Sequence, residues 1–273
     1  MISMNGRSVS AVAGTVIIGV RATPDQPRRA RNAEIALLAL QRQSLPRSLY
    51  RIIVVEQDAT PRLRDVLEPL ADRYEFVFNA GPYNRGWAFN VGANLAGSSG
   101  ALCFFDGDLV VPRDFLASCF RTYVAARGRW PGGAGALRPH SSVEFLNRAT
   151  SDGLATAVLS GAFHVGRYRG KAWESVGCCI CVDAALYHRM GGHDERFRGW
   201  GKEDKEFWAR LKRVTRVSVL ERRLLHLEHE PTDPYSEQAD RNRRLHARKV
   251  AGENGWPSGP IGDPCHYTNE TVG

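Results

Sequence analysis

The chain has 273 residues, 43% of them hydrophobic and 24% charged, with a formal net charge of +8 at pH 7. That balance belongs to a soluble globular protein of one large or two small domains, and the length excludes a scaffold that needs staples to fold. The positive charge does not by itself mark a nucleic-acid binder: the arginines are scattered through 28–31, 121–129, 210–216 and 241–248. Such clusters suit a solvated surface or a nucleotide diphosphate, whose phosphate oxygens pair bidentately with guanidinium groups.

Val9 to Val20 has the apolar character of a signal peptide, with Arg7 before it and Ala22 after it. It also carries Ser10, Gly14 and Thr15, and it is too short for a spanning helix, which takes about 20 residues. Thr15–Val20 is therefore read as the first core strand, and no targeting or transmembrane segment is expected. Arg51–Val55 is a second run of the same β-branched kind, as in strands buried on both faces. Between them Ile35, Leu38, Ala39 and Leu45 suit a helix ending before Pro46. A strand, helix, strand unit favours a parallel sheet.

A helix is predicted over Pro61–Tyr74, a strand over Phe76–Asn79 and a helix over Ala88–Ala96. The apolar run Ala101–Phe105 then stops at Asp106-Gly107-Asp108, and carboxylates past the end of a parallel strand sit where open α/β sheets bind ligands. Residues 131–172 show no sustained period and read as a long loop region with short elements. A buried strand at Cys178–Val182, a helix at Asp183–Met190, the run Val217–Leu225 and a helix over Glu237–Glu253 complete the chain.

Asp-Gly is an ordinary turn pair, but after an apolar strand two hard oxygen ligands can hold a divalent ion that bridges phosphates. His226-Leu227-Glu228-His229 places two imidazoles three residues apart, which one ion can collect. Gly199-Trp200-Gly201-Lys202-Glu203-Asp204 is a glycine loop running into a helix with Phe207 and Leu211 on its inner face. Its carboxylates complement the helix dipole, and after an aromatic set between two glycines they also suit a sugar site. The cysteines at 103, 119, 178, 179, 181 and 265 have neither zinc spacing nor the regularity of a disulfide framework, so reduced thiols in a cytoplasmic protein are expected.

These segments together resemble the β-1,4-galactosyltransferase family and its bacterial, family 2-type relatives with the GT-A fold. The matching stretches are Leu40-Gln41-Arg42-Gln43, Val54-Val55-Glu56-Gln57, Tyr83-Asn84-Arg85 leading to Asn90-Val91-Gly92, Phe105 to Leu109, and Gly191 to Asp204. The resemblance runs from about residue 15 to 232 and implies a Rossmann-like, mostly parallel α/β domain over that span. A short extension, 1–14, precedes it and a basic helical tail, 233–273, follows. It further implies that Asp108, His226 and His229 hold Mn²⁺ or another divalent cation against the donor diphosphate. Asp204 would be the catalytic base, with Glu203 and Trp200 at the acceptor. Arg21, Glu56, Asp58, Arg85, Asp106 and Trp200 would lie on the donor side, where Arg85 and Asn90 read equally as structural positions.

Three departures stand out. The chain lacks the anchor and stem of the animal enzymes, it has His226 where many of them have methionine, and Glu174 to Cys178 replaces a bulky segment. The resemblance implies that Ser175 or its neighbour stands where galactose-specific relatives carry tyrosine, which would leave room for a 2-acetamido group on the donor sugar. The expected activity is inverting transfer of a sugar from a nucleotide diphosphate, UDP first among them, to an acceptor hydroxyl. Two alternatives are a GT-A-like sugar nucleotidyltransferase, which would want a glycine-rich phosphate loop not seen near the N-terminus, and a basic metal-binding module for nucleic acid. The latter leaves the Trp200–Asp204 loop without a purpose.

Overall fold

The computed structural model describes residues 13–263, apart from 128, 174, 232, 234, 253, 254, 256 and 258–260. Nearly all of the 1–14 extension, and the tail beyond 263 with Cys265, lie outside the described residues. In chain order the strands are β1 (Gly14–Val20), β2 (Tyr50–Asp58), β3 (Arg73–Phe78), β4 (Ala101–Asp106), β5 (Leu109–Val110), β6 (Ala136–Arg138), β7 (Ser142–Phe145), β8 (Lys171–Trp173), β9 (Cys179–Asp183), β10 (Val217–Val219) and β11 (Arg223–His226). The helices are α1 (Pro27–Gln41), α2 (Arg64–Leu67), α3 (Arg85–Ala96), α4 (Phe115–Arg127), α5 (Arg148–Leu159), α6 (Ala184–Arg189), α7 (Glu203–Val214) and α8 (Glu237–Val250).

Seven strands form the central sheet in the order β10-β6-β9-β4-β1-β2-β3. From β4 to β3 all neighbours are parallel, and β9 runs antiparallel between β4 and β6. Alternate residues of β1 face opposite layers, as a pleated strand requires. Val16 and Ile18 pack with Leu37 of α1 and Phe120 of α4. Ile17 packs with Phe89 of α3 and Phe207 of α7. A helix can lie this close to β1 because position 92 is glycine: a Cβ there would stand 2.3 Å from Cγ2 of Ile17. The chain leaves β1 toward β2 on one side, while β4 lies on the other, so the ends of β1 and β4 mark the switch point where such sheets open a ligand crevice.

A second sheet, β5-β11-β7-β8, flanks that crevice. Its β11 and β5 pack with Ile35 and Ala39 of α1 and Leu154 and Val158 of α5. The 131–172 segment, expected as loop, thus supplies three strands and a helix. The period was there but short: Ser151, Leu154, Ala155 and Val158 are the buried face of α5, which Asn147 caps by accepting from the amide of Thr150. The predicted 61–74 helix is likewise shorter, because Pro69 sits in a 3-10 turn after α2 and Arg73 already pairs with Ile53 of β2.

One expectation about cysteine is corrected. Cys103 and Cys181 form a disulfide, with Cα atoms 4.1 Å apart, because the antiparallel register of β4 and β9 sets them directly opposite each other. Cys119, Cys178 and Cys179 are buried free thiols. No helix among the described residues is long and apolar enough to cross a membrane.

Candidate active site

The Asp106-Gly107-Asp108 turn joins β4 to β5, and β5 pairs antiparallel with β11 through Leu109 and His226. The amide of Leu227 donates to the carbonyl of Asp108 at 2.8 Å. This pairing, rather than sequence proximity, brings the carboxylate of Asp108 to both histidines. Its Oδ1 lies 3.3 Å from Nε2 of His226 and its Oδ2 lies 3.3 Å from Nε2 of His229. One ligand atom from each of the three lies within 4.8 Å of the others.

The donor set suits a divalent ion. Nδ1 of His229 meets the carbonyl of Glu230 at 2.7 Å. A carbonyl only accepts, so Nδ1 carries the proton and Nε2 presents a lone pair. Burial holds the pKa of His229 below its ordinary value, more than Asp108 raises it, which favours the neutral ligand form. Oδ1 of Asp108 is buried without a hydrogen-bond partner, and a buried polar atom left that way costs energy unless something binds it. Phe145 of β7 stacks on the His226 ring at 4.3 Å and holds it flat.

Asp106 faces the other way. Its carboxylate takes Nη2 of Arg85 at 2.5 Å and Nε at 2.7 Å. Arg85 opens α3, where Asn84 caps the helix by accepting from the amide of Trp87. The same guanidinium reaches Oε1 of Glu203 at 3.5 Å and lies over the Phe89 ring at 4.6 Å. Burial opposes charge on Arg85, but Asp106 and Glu203 outweigh it and keep the group firmly cationic. For Asp106 burial dominates instead, and its pKa stays above the usual range in spite of Arg85. Glu203 is pushed up to about 7, by burial first and by adjacent Asp204 second, and its Oε2 has no partner. Arg85 is therefore the pin between the acidic turn and the glycine loop.

That loop uses left-handed backbone at Gly199 (φ 66°), Gly201 (φ 96°) and Lys202 (φ 78°). Only the last is costly, since its side chain meets the backbone there. The loop is tied at its base by the Gly199 amide, which donates to the Tyr83 carbonyl at 2.6 Å, and by Asn242 of α8, which donates to the carbonyls of Arg198 and Trp200. The Trp200 side chain is 48% exposed. Asp204, in the first turn of α7, has no ion-pair partner among the described residues. It faces a narrow crevice lined by Arg85, Phe89, Val176, Gly177 and Trp208. A Cβ at Gly177 would meet Oδ2 of Asp204 at 2.8 Å, so glycine there is what lets the carboxylate sit in the crevice.

Comparisons with known proteins now bear on this geometry. Residues 28–128 match the model described as glycosyl transferase family 2, and residues 157–230 match the one described as N-terminal domain of galactosyltransferase. The solved structures that resemble the chain include S. aureus TarS 1-349 in complex with UDP-GlcNAc (TM-score 0.56, 14% identity, 89% of this chain and 68% of that one). They also include the mannosyltransferase PcManGT from Pyrobaculum calidifontis in complex with GDP-Man and Mn²⁺ (0.53, 16%, 90% and 66%). A third is the catalytic domain of Drosophila β1,4-galactosyltransferase 7 in complex with xylobiose (0.51, 16%, 84% and 79%). The chain has the GT-A fold of these enzymes, and glycosyltransferase family sequence is matched over 28–128 and 157–230. It spans 40% of the longer TarS chain, and no curated protein matches its sequence.

The remaining residues expected on the donor side divide into two groups. Arg21 donates to the carbonyl of Gly81 and stands 4.0 Å from Asp58, at the ends of β1 and β2 beside the switch point. Asp58 is 2% exposed and also binds Arg62 and the amide of Ala59. Glu56 departs from the expected role: it is fully buried, and its oxygens accept from the amides of Arg62 and Leu63 and from the Tyr74 hydroxyl. It shapes the loop after β2 and offers no face to a ligand. Asn90 is structural as well, holding the Gly-Gly segment through the amide and carbonyl of His193 and the carboxylate of Glu195. Gly177 and Phe145 were missed from the sequence, where a lone glycine and a lone aromatic carry no signal.

Proposed function

We propose that the glycosyltransferase moves a sugar, with inversion, from a UDP-linked donor to an acceptor hydroxyl. The observation that carries this reading is the convergence of Asp108, His226 and His229 beside the switch point, with Asp204, which makes no ion pair among the described residues, in the adjoining crevice. A divalent ion such as Mn²⁺, held by those three side chains, would neutralise charge growing on the leaving diphosphate.

The chain's own residues do the rest. Asp204 accepts the proton of the acceptor hydroxyl as its oxygen bonds to the anomeric carbon and the bond to the diphosphate breaks. Asp106 and Glu203 are both engaged by Arg85, which leaves Asp204 as the carboxylate without a cationic partner. One base and no free carboxylate nucleophile favour a single displacement. Glu203, beside Asp204 in the first turn of α7, would take the acceptor, and exposed Trp200 offers a flat apolar face to a sugar ring. The neighbours solved with UDP-GlcNAc and with GDP-Man and Mn²⁺ support a nucleotide-sugar donor and a metal.

Donor preference is read from the segment before β9. Ser175 is small and half-buried, its hydroxyl accepting from the amide of Gly177, and the family resemblance sets it or its neighbour beside the sugar 2-position, where a small side chain would leave room for a 2-acetamido group. A UDP-linked N-acetylhexosamine should be used at least as well as UDP-galactose. The test is a panel of sugar nucleotides with Mn²⁺, scored for slow donor hydrolysis, in the parent and in Ser175→Tyr. The tyrosine variant should shift kcat/KM toward the unsubstituted sugar by roughly 10-fold, the effect of one small group in a pocket. No hydrolysis of any sugar nucleotide would overturn the activity, and no shift in the variant would remove Ser175 from the pocket.

A further inference from the structure

His226 and His229 are held by different means. His226 closes β11, where its carbonyl accepts from the amide of Leu146 at 2.9 Å and its ring stacks on Phe145. The amide of Leu227 still reaches the carbonyl of Asp108. Beyond it the chain leaves the sheet, and the backbone groups of residue 228 need partners from elsewhere.

Two helices supply them. The amide of Glu228 donates to Oγ of Ser151 in α5 at 2.8 Å, and its carbonyl accepts from Nδ2 of Asn32 in α1 at 3.1 Å. Asn32 and Ser151 are 4% and 2% exposed, so bulk water cannot stand in for either contact. The two helices are tied to each other as well: Asp152, next to Ser151, pairs with Arg31 of α1 at 2.7 Å and with Arg28 at 3.2 Å. Arg28 also meets the carboxylate of Glu228 at 2.5 Å. These ion pairs are partly exposed and individually weak, which leaves the buried neutral pair to fix the segment.

The consequence reaches His229. Its ring is oriented by Nδ1 donating to the carbonyl of Glu230, a group that Arg29 of α1 also engages at 3.0 Å. An imidazole anchored to a backbone carbonyl is only as well placed as that backbone.

We propose that Asn32 and Ser151 are positioning residues of the candidate metal site. By gripping Glu228 through its carbonyl and its amide, they set where Nε2 of His229 stands relative to Asp108 and His226. The proposal rests on the metal reading of those three side chains, and neither Asn32 nor Ser151 is itself a ligand.

The test is Mn²⁺ titration of the full chain, with free Mn²⁺ read by electron paramagnetic resonance and folding checked by thermal unfolding in EDTA. Ser151→Ala and Asn32→Leu should each weaken Mn²⁺ binding by roughly 10- to 100-fold, the usual effect of losing a group that orients a metal ligand. Ser151→Ala removes one oxygen and leaves α5 its Asn147 cap, so the test stands if Asn32→Leu does not fold. Tyr50→Phe is the control for general loosening. Tyr50 is 1% exposed and its hydroxyl donates to the carbonyl of Leu40, about two turns of α1 beyond Asn32, and this variant should bind Mn²⁺ as the wild type does. Wild-type affinity in Ser151→Ala would overturn the positioning role, and so would an equal loss in Tyr50→Phe. A wild-type protein that binds no Mn²⁺, or binds it unchanged in Asp108→Ala, would overturn the metal reading and the positioning role together. Binding lost in Asp108→Ala but kept in Ser151→Ala would overturn the positioning role alone.

Discussion

Replacing Glu203 by glutamine should stabilise the protein above neutral pH and have little pH-dependent effect below pH 5. The Glu203 side chain is 13% exposed, and its pKa is raised from 4.5 to about 7 by burial and by Asp204, against the pull of Arg85. Between those two values the folded protein keeps a proton that the unfolded chain has already released. Its contribution is thus fully present below pH 4.5 and is lost as the pH rises through 7. The gap amounts to at most roughly 3.5 kcal/mol, at about 1.4 kcal/mol per pKa unit. Glutamine mimics the protonated acid at every pH, so the stability of the variant minus that of wild type should climb by up to this amount between pH 5 and pH 8. Urea unfolding at several pH values, followed by circular dichroism, reads the difference directly. A difference that is flat with pH, or one that falls, would mean that Arg85 outweighs burial and that the carboxylate is charged throughout. A climb would show that the protein keeps a costly carboxylate beside Asp204 in the candidate site, a pattern common where function and stability compete.

Alanine at Asp108, His226 or His229 should abolish Mn²⁺-dependent UDP binding by calorimetry while the far-ultraviolet spectrum stays native; full activity in EDTA would refute a metal role. Asp204→Asn should lower transfer by roughly 10²- to 10⁴-fold, the usual contribution of a general base, with UDP affinity nearly unchanged, and normal turnover would remove Asp204 from that role. In Gly177→Ala the new methyl would lie 2.8 Å from Oδ2 of Asp204, so the carboxylate must move. Turnover should drop by on the order of 10²-fold, as for a misplacement of about 1 Å, and a wild-type rate would show that the crevice yields.

The order of strands and helices was legible from residues 15 to 110 because buried parallel strands announce themselves as continuous β-branched runs, as Val16 to Val20 and Ile52 to Val55 do. So were the turn at Asp106 to Asp108 and the glycine loop before Asp204, since both are contiguous in the chain. What sequence reading could not reach is pairing between distant segments. Nothing at position 103 announces Cys181; the register of two antiparallel strands joins them across 78 residues. The 131–172 region was unreadable because its strands are three or four residues long, too short to display a period. Glu56 shows the same limit at a site residue: a carboxylate at a strand end reads as a ligand group until the loop amides that surround it are seen.

By itself, then, the sequence determined a mostly parallel α/β architecture and the chemical types gathered at the ends of its strands, because hydrophobic periodicity and local turn chemistry are properties of neighbouring residues; the GT-A fold came from the family resemblance. The family resemblance also grouped Asp108 with the two histidines, but tertiary structure alone supplied the β5–β11 pairing that does it, and alone decided that Asp106 and Glu203 share the single guanidinium of Arg85. Such assignments depend on distances of a few ångströms between segments far apart in the chain, and only packing sets those.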